Sequence, residues 1–105
     1  DYIKKGGIVA VMLDQADEKG EFFNFLGVPA KTSTSVAKIA IKYDALLVPA
    51  YALRDEVTSL IRVHFEKPLV SSNYQELTEL VTKSIEQRVS AHPAQWYWFH
   101  RRWKY

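Results

Sequence analysis

The apolar positions of this chain are concentrated in short segments of two different periodicities. Residues 8–13 form a continuous apolar run, and residues 46–53 form a second run that contains Pro49. Continuous runs rich in β-branched residues are typical of strands buried on both faces of a parallel sheet. Because proline lacks an N–H group, the second strand is expected to bulge, end or lie at a sheet edge at Pro49.

A helix is predicted between these two strands. From Val36 to Tyr43, apolar residues recur at the spacing of one helix face, and the helix should end near Asp44. The hydroxyl-bearing residues at 32–35 offer several possible N-caps. A strand, a helix and a strand in this order predict a βαβ unit with parallel strands and a right-handed crossover.

The second half of the chain predicts a hairpin followed by a long helix. Alternating polarity over residues 59–65 predicts a third strand that pairs antiparallel with the second. Asn73 and Glu76 have capping-box spacing and should open a helix in which Glu79 pairs with Lys83. The buried side of this helix is predicted to consist of Leu77, Leu80, Val81, Ile85 and Val89.

The C-terminal segment predicts a final helix rich in aromatic residues. Pro93 suits its first turn, and Trp96, Phe99 and Trp103 would share one face. Such a stripe is expected to dock in the core, and a basic rim around it would also suit a membrane surface. The apolar residues at 22–26 fit either a loop or a short strand.

Length and composition indicate one domain, residues 1–105, of the α/β class: a βαβ unit, a β-hairpin and C-terminal helices. The chain has 105 residues, 48% of them hydrophobic and 25% charged, which suits one core and not two. The absence of cysteine excludes a disulfide scaffold, a zinc–thiolate site and a cysteine nucleophile. No apolar run approaches the length of about 18 residues that spans a bilayer.

Charge is nearly balanced over the chain but is distributed unevenly. A net charge of +2 is too small for a protein that coats nucleic acid. No acidic residue follows Glu86, whereas three arginines, one lysine and two histidines do. The C-terminus is therefore a basic, aromatic segment on a nearly neutral body.

Two predicted strand ends carry the candidate site residues. Asp14 and Gln15 follow the first strand, and Arg54 follows the second. Open α/β sheets bind ligands at the carboxyl ends of their strands, so these residues are expected to line one cleft. The alternative is that Asp14 caps a loop and Arg54 is a solvated turn residue. His64, on a half-exposed strand face, is expected to be structural.

The chain contains no complete catalytic motif. No serine sits in a Gly-x-Ser-x-Gly turn, no glycine-rich phosphate loop follows a strand, and the histidines lack the spacing of metal ligands. The opening residues Lys4-Lys5-Gly6 have the pattern of a helix end. We therefore expect a fragment whose N-terminal portion precedes residue 1, with a short frayed N-terminus as the alternative.

The chain ends in HPAQWYWFHRRWKY, and three earlier segments are equally distinctive: GGIVAVMLDQ, FFNFLGVPAKTSTSVAKIA and LLVPAYALR. In this order the four segments resemble the bacterial lipid A biosynthesis acyltransferases, the lauroyl/myristoyl group. The ending resembles the C-terminal signature of that family most closely. The resemblance covers essentially the whole chain and corresponds to the C-terminal portion of such an enzyme.

This resemblance implies a glycerolipid-acyltransferase-like α/β fold on the cytoplasmic face of the bacterial inner membrane. Such an enzyme moves a fatty acyl chain from acyl carrier protein to a hydroxyl of a lipid A precursor, without a cofactor, in lipopolysaccharide biosynthesis. The wider superfamily uses a His-x-x-x-x-Asp or Glu motif with histidine as general base. Here the fifth residues after the histidines are Leu69, Tyr97 and Tyr105. The dyad is therefore expected outside this chain, and the chain alone is expected to be inactive.

The resemblance assigns no catalytic or metal-binding residue to this chain, but it implies substrate-binding positions. These are Asp14, Gln15, Thr34, Arg54, His100, Arg101, Arg102 and Trp103. Arginine binds phosphate oxygens through two N–H donors at once. Arg54 or the Arg101–Arg102 pair is therefore expected to contact a phosphate of the acceptor.

Two other interpretations stay open at this stage. A related membrane acyltransferase could act on another glycolipid or on a lysophospholipid. A free-standing α/β module could instead bind anionic lipid or nucleic acid through its tryptophan- and arginine-rich tail. In a fragment, exposed apolar surface or an unpaired strand edge would also favour self-association.

Overall fold

The computed structural model describes residues 2–96 and 101–103, which form a mixed α/β architecture. The described strands make two separate antiparallel hairpins. The first consists of β1 (Glu21–Phe25) and β2 (Val28–Thr32), and the second of β3 (Ala50–Arg54) and β4 (Ile61–Phe65). Helix α1 spans Ser35–Lys42, helix α2 spans Tyr74–Ala91, and a 3₁₀ helix spans Pro93–Gln95. The predicted α/β class is confirmed.

The first hairpin decides an assignment that the sequence left open between a loop and a strand. Phe25 pairs with Val28 across a two-residue turn, and the turn residues Leu26 and Gly27 have φ values of 52° and 82°. Two-residue hairpin turns with both φ values positive match the twist of the flanking strands. Leucine is unusual in this left-handed region, and its N–H donates to a carboxylate oxygen of Glu86 on α2 at 2.8 Å. The helix thereby holds the turn.

The second hairpin confirms the predicted antiparallel pairing. The five residues of β3 lie opposite the five residues of β4. The strand begins directly after Pro49, whose carbonyl oxygen accepts the N–H of Glu66 at 2.9 Å. The proline therefore supplies an acceptor at the start of the ladder, and the strand begins after it because proline has no N–H to donate back across the pair.

The predicted strand at residues 8–13 is wrong, and so is the parallel βαβ unit that depends on it. No strand is assigned at these residues, and Ile8 and Met12 are 89% and 91% exposed. A strand requires a hydrogen-bonded neighbour along its length. In the described part of the chain both sheets are antiparallel, and neither includes this segment. Local composition favoured extended backbone there, but it carried no information about a partner.

Two small apolar clusters form the core of the described residues, and helix α2 contributes to both. The first cluster comprises Phe25, Ala30 and Val89, with Ile85, Trp96 and Trp103 packed against it. The second comprises Ala37, Ala40 and Leu77, with Ile41, Leu47, Leu69 and Tyr74 packed against it. The small alanines of β2 and α1 let backbone segments approach closely, and the larger side chains fill the space around them.

Helix α2 begins where the sequence predicted. Oδ1 of Asn73 accepts the backbone N–H groups of Gln75 and Glu76 at 2.8 and 3.1 Å, which satisfies two donors that the helix itself cannot pair. Of the five residues predicted on the buried side, Leu77 and Val89 are buried and the other three are half-buried. The apolar periodicity therefore identified the correct face.

Helix α2 also buries two threonines that the apolar pattern did not select. Thr78 and Thr82 are 3% and 2% exposed. Each hydroxyl donates to the carbonyl oxygen four residues earlier, at 2.7 and 2.8 Å, so neither is left unpaired in the core. On the exposed face, the predicted ion pair between Glu79 and Lys83 is present at 3.6 Å.

Glu21 of β1 connects the first hairpin to the start of α2. Oη of Tyr74 donates to its carboxylate at 2.8 Å, and Nε2 of Gln75 donates at 3.2 Å. These bonds lower the pKa of Glu21, the one from Tyr74 most of all, and the same bond raises the pKa of Tyr74. Both shifts have one cause, since the contact favours a charged carboxylate facing a neutral phenol.

The predicted final helix is shorter than expected in the described residues. Pro93 opens a 3₁₀ helix that ends at Gln95, and Arg102 and Trp103 lie in a turn. Phe99, the middle member of the predicted aromatic stripe, lies outside the described residues. Trp96 is extended, with φ −99° and ψ 145°, so the helix that Pro93 opens does not continue through this tryptophan.

The expected docking of the tryptophans in the core is confirmed. The rings of Trp96 and Trp103 lie against Phe25, with centroid separations of 5.4 and 5.7 Å. The indole N–H of Trp103 donates to the carbonyl oxygens of Phe25 and Val28 at 3.3 and 3.2 Å. The ring of Trp103 is thereby half-buried while its polar atom is paired with the hairpin backbone.

Arg102 is buried in the same place, with 1% of its surface exposed. Its Nη1 donates to the carbonyl oxygen of Lys31 at 2.8 Å, its Nη2 donates to Oγ1 of Thr32 at 2.7 Å, and its guanidinium lies 5.1 Å from the ring centroid of Phe25. Burial lowers the pKa of Arg102, and the charge of Asp14 acts in the opposite direction. Arginine stays protonated in proteins, so the guanidinium of Arg102 is a buried cation bonded to β2.

Replacing Asn73 by alanine tests the cap of α2. Asn73→Ala leaves two backbone N–H groups without their acceptor, so it should lower the free energy of unfolding by about 1 kcal/mol in urea titrations. Ser72→Ala, one residue earlier and exposed, is the matched control and should change stability by less than about 0.5 kcal/mol. Equal stabilities for the two variants would contradict the cap.

Replacing Arg102 by methionine tests its structural role. Arg102→Met keeps the approximate length of the side chain but removes the two hydrogen bonds that the guanidinium donates to Lys31 and Thr32, and it should cost about 2–3 kcal/mol of unfolding free energy. Arg101→Met removes the same charge from an exposed neighbour and should stay within about 0.5 kcal/mol of the parent. If both variants unfold at the same denaturant concentration, the buried bonds do not stabilise the fold.

Candidate functional site

Arg54 lies at the mouth of an open cleft. It is exposed and is the last residue of β3, whereas the sequence placed it just past the end of the strand. The cleft has a volume of about 360 Å³ and is lined by Arg54, Glu56, Ala94 and Gln95. One wall therefore comes from the end of β3 and its following turn, and the other comes from the 3₁₀ helix.

The side chain of Gln95 joins the two walls. Its Oε1 accepts the backbone N–H of Arg54 at 2.8 Å, and its Nε2 donates to the backbone carbonyl of Arg54 at 3.2 Å. The next residue, Asp55, donates its N–H across the hairpin to Leu60 at 2.8 Å, so the backbone groups of Arg54 point to the outer edge of β3. Gln95 thus occupies the position that a neighbouring strand would take.

The turn that follows Arg54 is held by its own aspartate. The carboxylate of Asp55 accepts the N–H groups of Val57 and Thr58 at 2.8 and 3.1 Å. These bonds lower the pKa of Asp55, with Thr58 as the larger contributor. Asp55 is therefore engaged in the turn, and Glu56 is the acidic residue that lines the cleft.

Asp14 contacts Trp96, the residue that directly follows Gln95. Its Oδ2 accepts the indole N–H of Trp96 at 2.9 Å, and its charge acts to raise the pKa of the buried Arg102. Because Gln95 and Trp96 are consecutive, Asp14 and Arg54 are both attached to one short stretch of backbone. The sequence predicted that parallel strand ends would bring these residues together, whereas the structure connects them through residues 95–96.

The other predicted site residues lie in different surroundings. Thr34 is 7% exposed and forms the N-cap of α1. The backbone carbonyl of Thr34 accepts the N–H of Lys38 at 3.0 Å. Gln15 and Arg101 are exposed. Trp103 is packed on the first hairpin, and His100 lies outside the described residues. Of these residues, the four that the structure describes do not line the cleft of Arg54.

The Arg101–Arg102 pair does not act as one basic unit in this structure. Arg101 is exposed, whereas the guanidinium of Arg102 is buried on β2 and bonded to Lys31 and Thr32. A contact between Arg102 and a phosphate in solvent would require the loss of both bonds. Of the arginines predicted from the sequence to contact phosphate, Arg54 and Arg101 are exposed to solvent.

His64 is part of the second hairpin and not of the cleft. Its ring stacks on Tyr51 with centroids 4.9 Å apart and an interplanar angle of 12°. The guanidinium of Arg88 lies 4.5 Å from the centroid of the same tyrosine, and it forms an ion pair with Glu66. These contacts attach the hairpin to α2, which agrees with a structural role for His64.

Sequence reasoning missed three of the four residues that line the cleft. Glu56, Ala94 and Gln95 are not among the predicted site residues. No local pattern marks a glutamine whose amide bonds a strand edge 41 residues away. Among residues 2–96 and 101–103, no cluster of histidines and carboxylates could hold a metal ion, and no helix is long and apolar enough to span a bilayer.

Comparison with known proteins identifies the family. The search of curated proteins finds no match to this chain. The sequence model of a family described as bacterial lipid A biosynthesis acyltransferase matches residues 1–105, which is the whole chain. This match agrees with the four ordered segments that resemble the same enzymes. The chain therefore belongs to the bacterial lipid A biosynthesis acyltransferase family.

Proposed function

We propose that this chain contributes the acceptor-binding surface of an enzyme that moves a fatty acyl chain from acyl carrier protein to a hydroxyl of a lipid A precursor. The reaction would take place at the cytoplasmic face of the bacterial inner membrane, as a step of lipopolysaccharide biosynthesis. Family membership supports the acyltransferase class. The observation that carries the finer proposal is the exposed Arg54 at the cleft shared with Gln95.

Arg54 has the chemistry to bind an anionic group of the acceptor. Its guanidinium forms no ion pair with any residue in the described part of the chain, while its backbone N–H and carbonyl are both bonded to the Gln95 amide. A planar guanidinium can bind two phosphate oxygens at once through parallel N–H groups. Fixing the backbone reduces the freedom that the side chain loses on binding.

Glu56 adds a second type of recognition to the same cleft. A carboxylate accepts hydrogen bonds from hydroxyl groups, and it repels a phosphate brought close to it. An acceptor that carries a phosphate and free hydroxyls on sugar rings would therefore bind with its phosphate towards Arg54 and its hydroxyls towards Glu56. The presence of both a cationic and an anionic side chain in this cleft supports a phosphorylated glycolipid over a neutral lipid as the acceptor.

The exposed apolar surface supports a location against lipid. Ile61, Val63 and Phe65 of β4 lie on one face of the strand and are 58%, 59% and 74% exposed. Apolar side chains of residues 8–12 are also exposed, next to Lys4 and Lys5. Apolar groups flanked by cations suit a membrane surface that contains anionic lipid.

Substituting Arg54 tests the acceptor contact. In an acyl-transfer assay of the enzyme that carries this chain, Arg54→Ala should raise the KM for the phosphorylated acceptor by about tenfold or more, since it removes a charge-assisted contact. Arg54→Lys should have an intermediate effect because it keeps the charge without the two-point geometry. The KM for the acyl donor should not change.

Arg62 offers a matched control for this experiment. It is an exposed arginine of the same hairpin, one position out of phase with Arg54, so it lies on the opposite face. Arg62→Ala should leave the acceptor KM within about twofold of the parent enzyme. An equal loss for phosphorylated and dephosphorylated acceptors in Arg54→Ala would contradict a phosphate contact.

The salt dependence of donor binding tests the proposal that acyl carrier protein is the donor. This carrier is strongly acidic, and exposed cations such as Lys4, Lys5 and Arg101 would attract it over a distance. The association rate measured by stopped-flow should fall by about tenfold between low and high salt. A neutral osmolyte of equal concentration is the control, and a rate that does not depend on salt would contradict electrostatic steering.

A further inference from the structure

We infer that Gln95 is a positioning residue for Arg54 and fixes the place from which the guanidinium reaches an anionic ligand. This inference rests on the proposed function, because it concerns the same cleft. It also goes beyond the proposed function, since it assigns a role to Gln95, which is not among the substrate-binding positions that the family resemblance implies. The two hydrogen bonds between the Gln95 amide and the Arg54 backbone carry the argument.

The contacts of the second hairpin explain why its Arg54 end needs a tether. The hairpin is attached to α2 through Tyr51, which lies under Arg88, and through Glu66, which bonds Arg88 and Ser84. These contacts lie at the end of the hairpin opposite its turn. Arg54 is three residues further along β3 than Tyr51, or about 10 Å of extended chain. Among the described residues, Gln95 supplies the side-chain contact that holds this far end.

Gln95 can hold Arg54 because it is itself held by the core. Its N–H donates to the carbonyl oxygen of His92 at 3.1 Å within the 3₁₀ helix. The following residue, Trp96, packs on Phe25 and donates to Asp14. The packing of Trp96 on the first apolar cluster therefore fixes Gln95, and Gln95 in turn fixes the backbone of Arg54.

The pairing requires the amide group of glutamine. One side-chain atom must accept the Arg54 N–H while another donates to the Arg54 carbonyl, and a neutral amide does both. A glutamate at this position would accept but not donate, and it would place a negative charge beside the guanidinium. Alanine would remove both bonds and leave the outer edge of β3 to water.

The experiment compares Gln95→Ala with Gln87→Ala, an exposed glutamine of α2 that serves as the matched control. In the acyl-transfer assay, Gln95→Ala should raise the acceptor KM by about fivefold, with kcat and the donor KM within about twofold of the parent. Gln87→Ala should leave all three constants unchanged. Gln95→Glu should raise the acceptor KM at least as much as Gln95→Ala.

Two further measurements separate positioning from a general structural role or a direct contact. Amide hydrogen exchange at Arg54 should accelerate about tenfold or more in Gln95→Ala, while exchange in α2 stays at the parent rate. The double variant Arg54→Ala/Gln95→Ala should have the acceptor KM of Arg54→Ala alone, since Gln95 acts only through Arg54. Multiplied effects in the double variant would identify Gln95 as an independent ligand contact and overturn the inference.

The outcomes also separate this inference from the proposed function. A raised acceptor KM in Arg54→Ala together with an unchanged KM in Gln95→Ala would overturn only the positioning role. An unchanged acceptor KM in Arg54→Ala would overturn the proposed contact itself. Faster exchange throughout α2 in Gln95→Ala would show that the substitution loosens the whole structure, which also overturns a role confined to Arg54.

Discussion

The docking of three C-terminal side chains on Phe25 is the interaction on which the rest of the structure depends. Trp96 and Trp103 lie against its ring, and the guanidinium of Arg102 lies over it. A two-stranded hairpin is marginal by itself, because one side of each strand faces water. The three side chains cover that side, and their N–H groups bond to Asp14 and to atoms of the hairpin, so aromatic burial and polar pairing occur together.

The same segment that completes the core also builds the candidate site. Gln95 precedes Trp96 directly, so the docking of the indole places the glutamine amide against the edge of β3. Arg54 and Arg102 were both predicted from the sequence to bind substrate, but they lie in opposite environments. Arg102 is enclosed and bonded to backbone and hydroxyl oxygens, whereas Arg54 presents its side chain to an open cleft. Their environment and not their residue type decides which one can bind a ligand.

Sequence reasoning succeeded where the determining contacts are close in the chain. The cap at Asn73, the apolar face of α2 and the hairpin of β3 and β4 all depend on residues a few positions apart or on a short turn. It failed at residues 8–13, where β-branched composition indicated extended backbone but the identity of a pairing strand is a long-range property. It also predicted that the helix opened at Pro93 would include Trp96, whereas the 3₁₀ helix ends at Gln95, because aromatic spacing alone does not fix the backbone.

The sequence by itself determined the α/β class, the family, and Arg54 as an exposed basic residue at a strand end, since these follow from composition, ordered motifs and local periodicity. Only the tertiary structure decided that Arg102 is buried, that Asp14 pairs with Trp96, and that Gln95 holds Arg54. The physical reason is that each of these contacts joins residues 41 or more positions apart. Such partners meet only when the chain folds around Phe25, so the local sequence around each residue does not identify them.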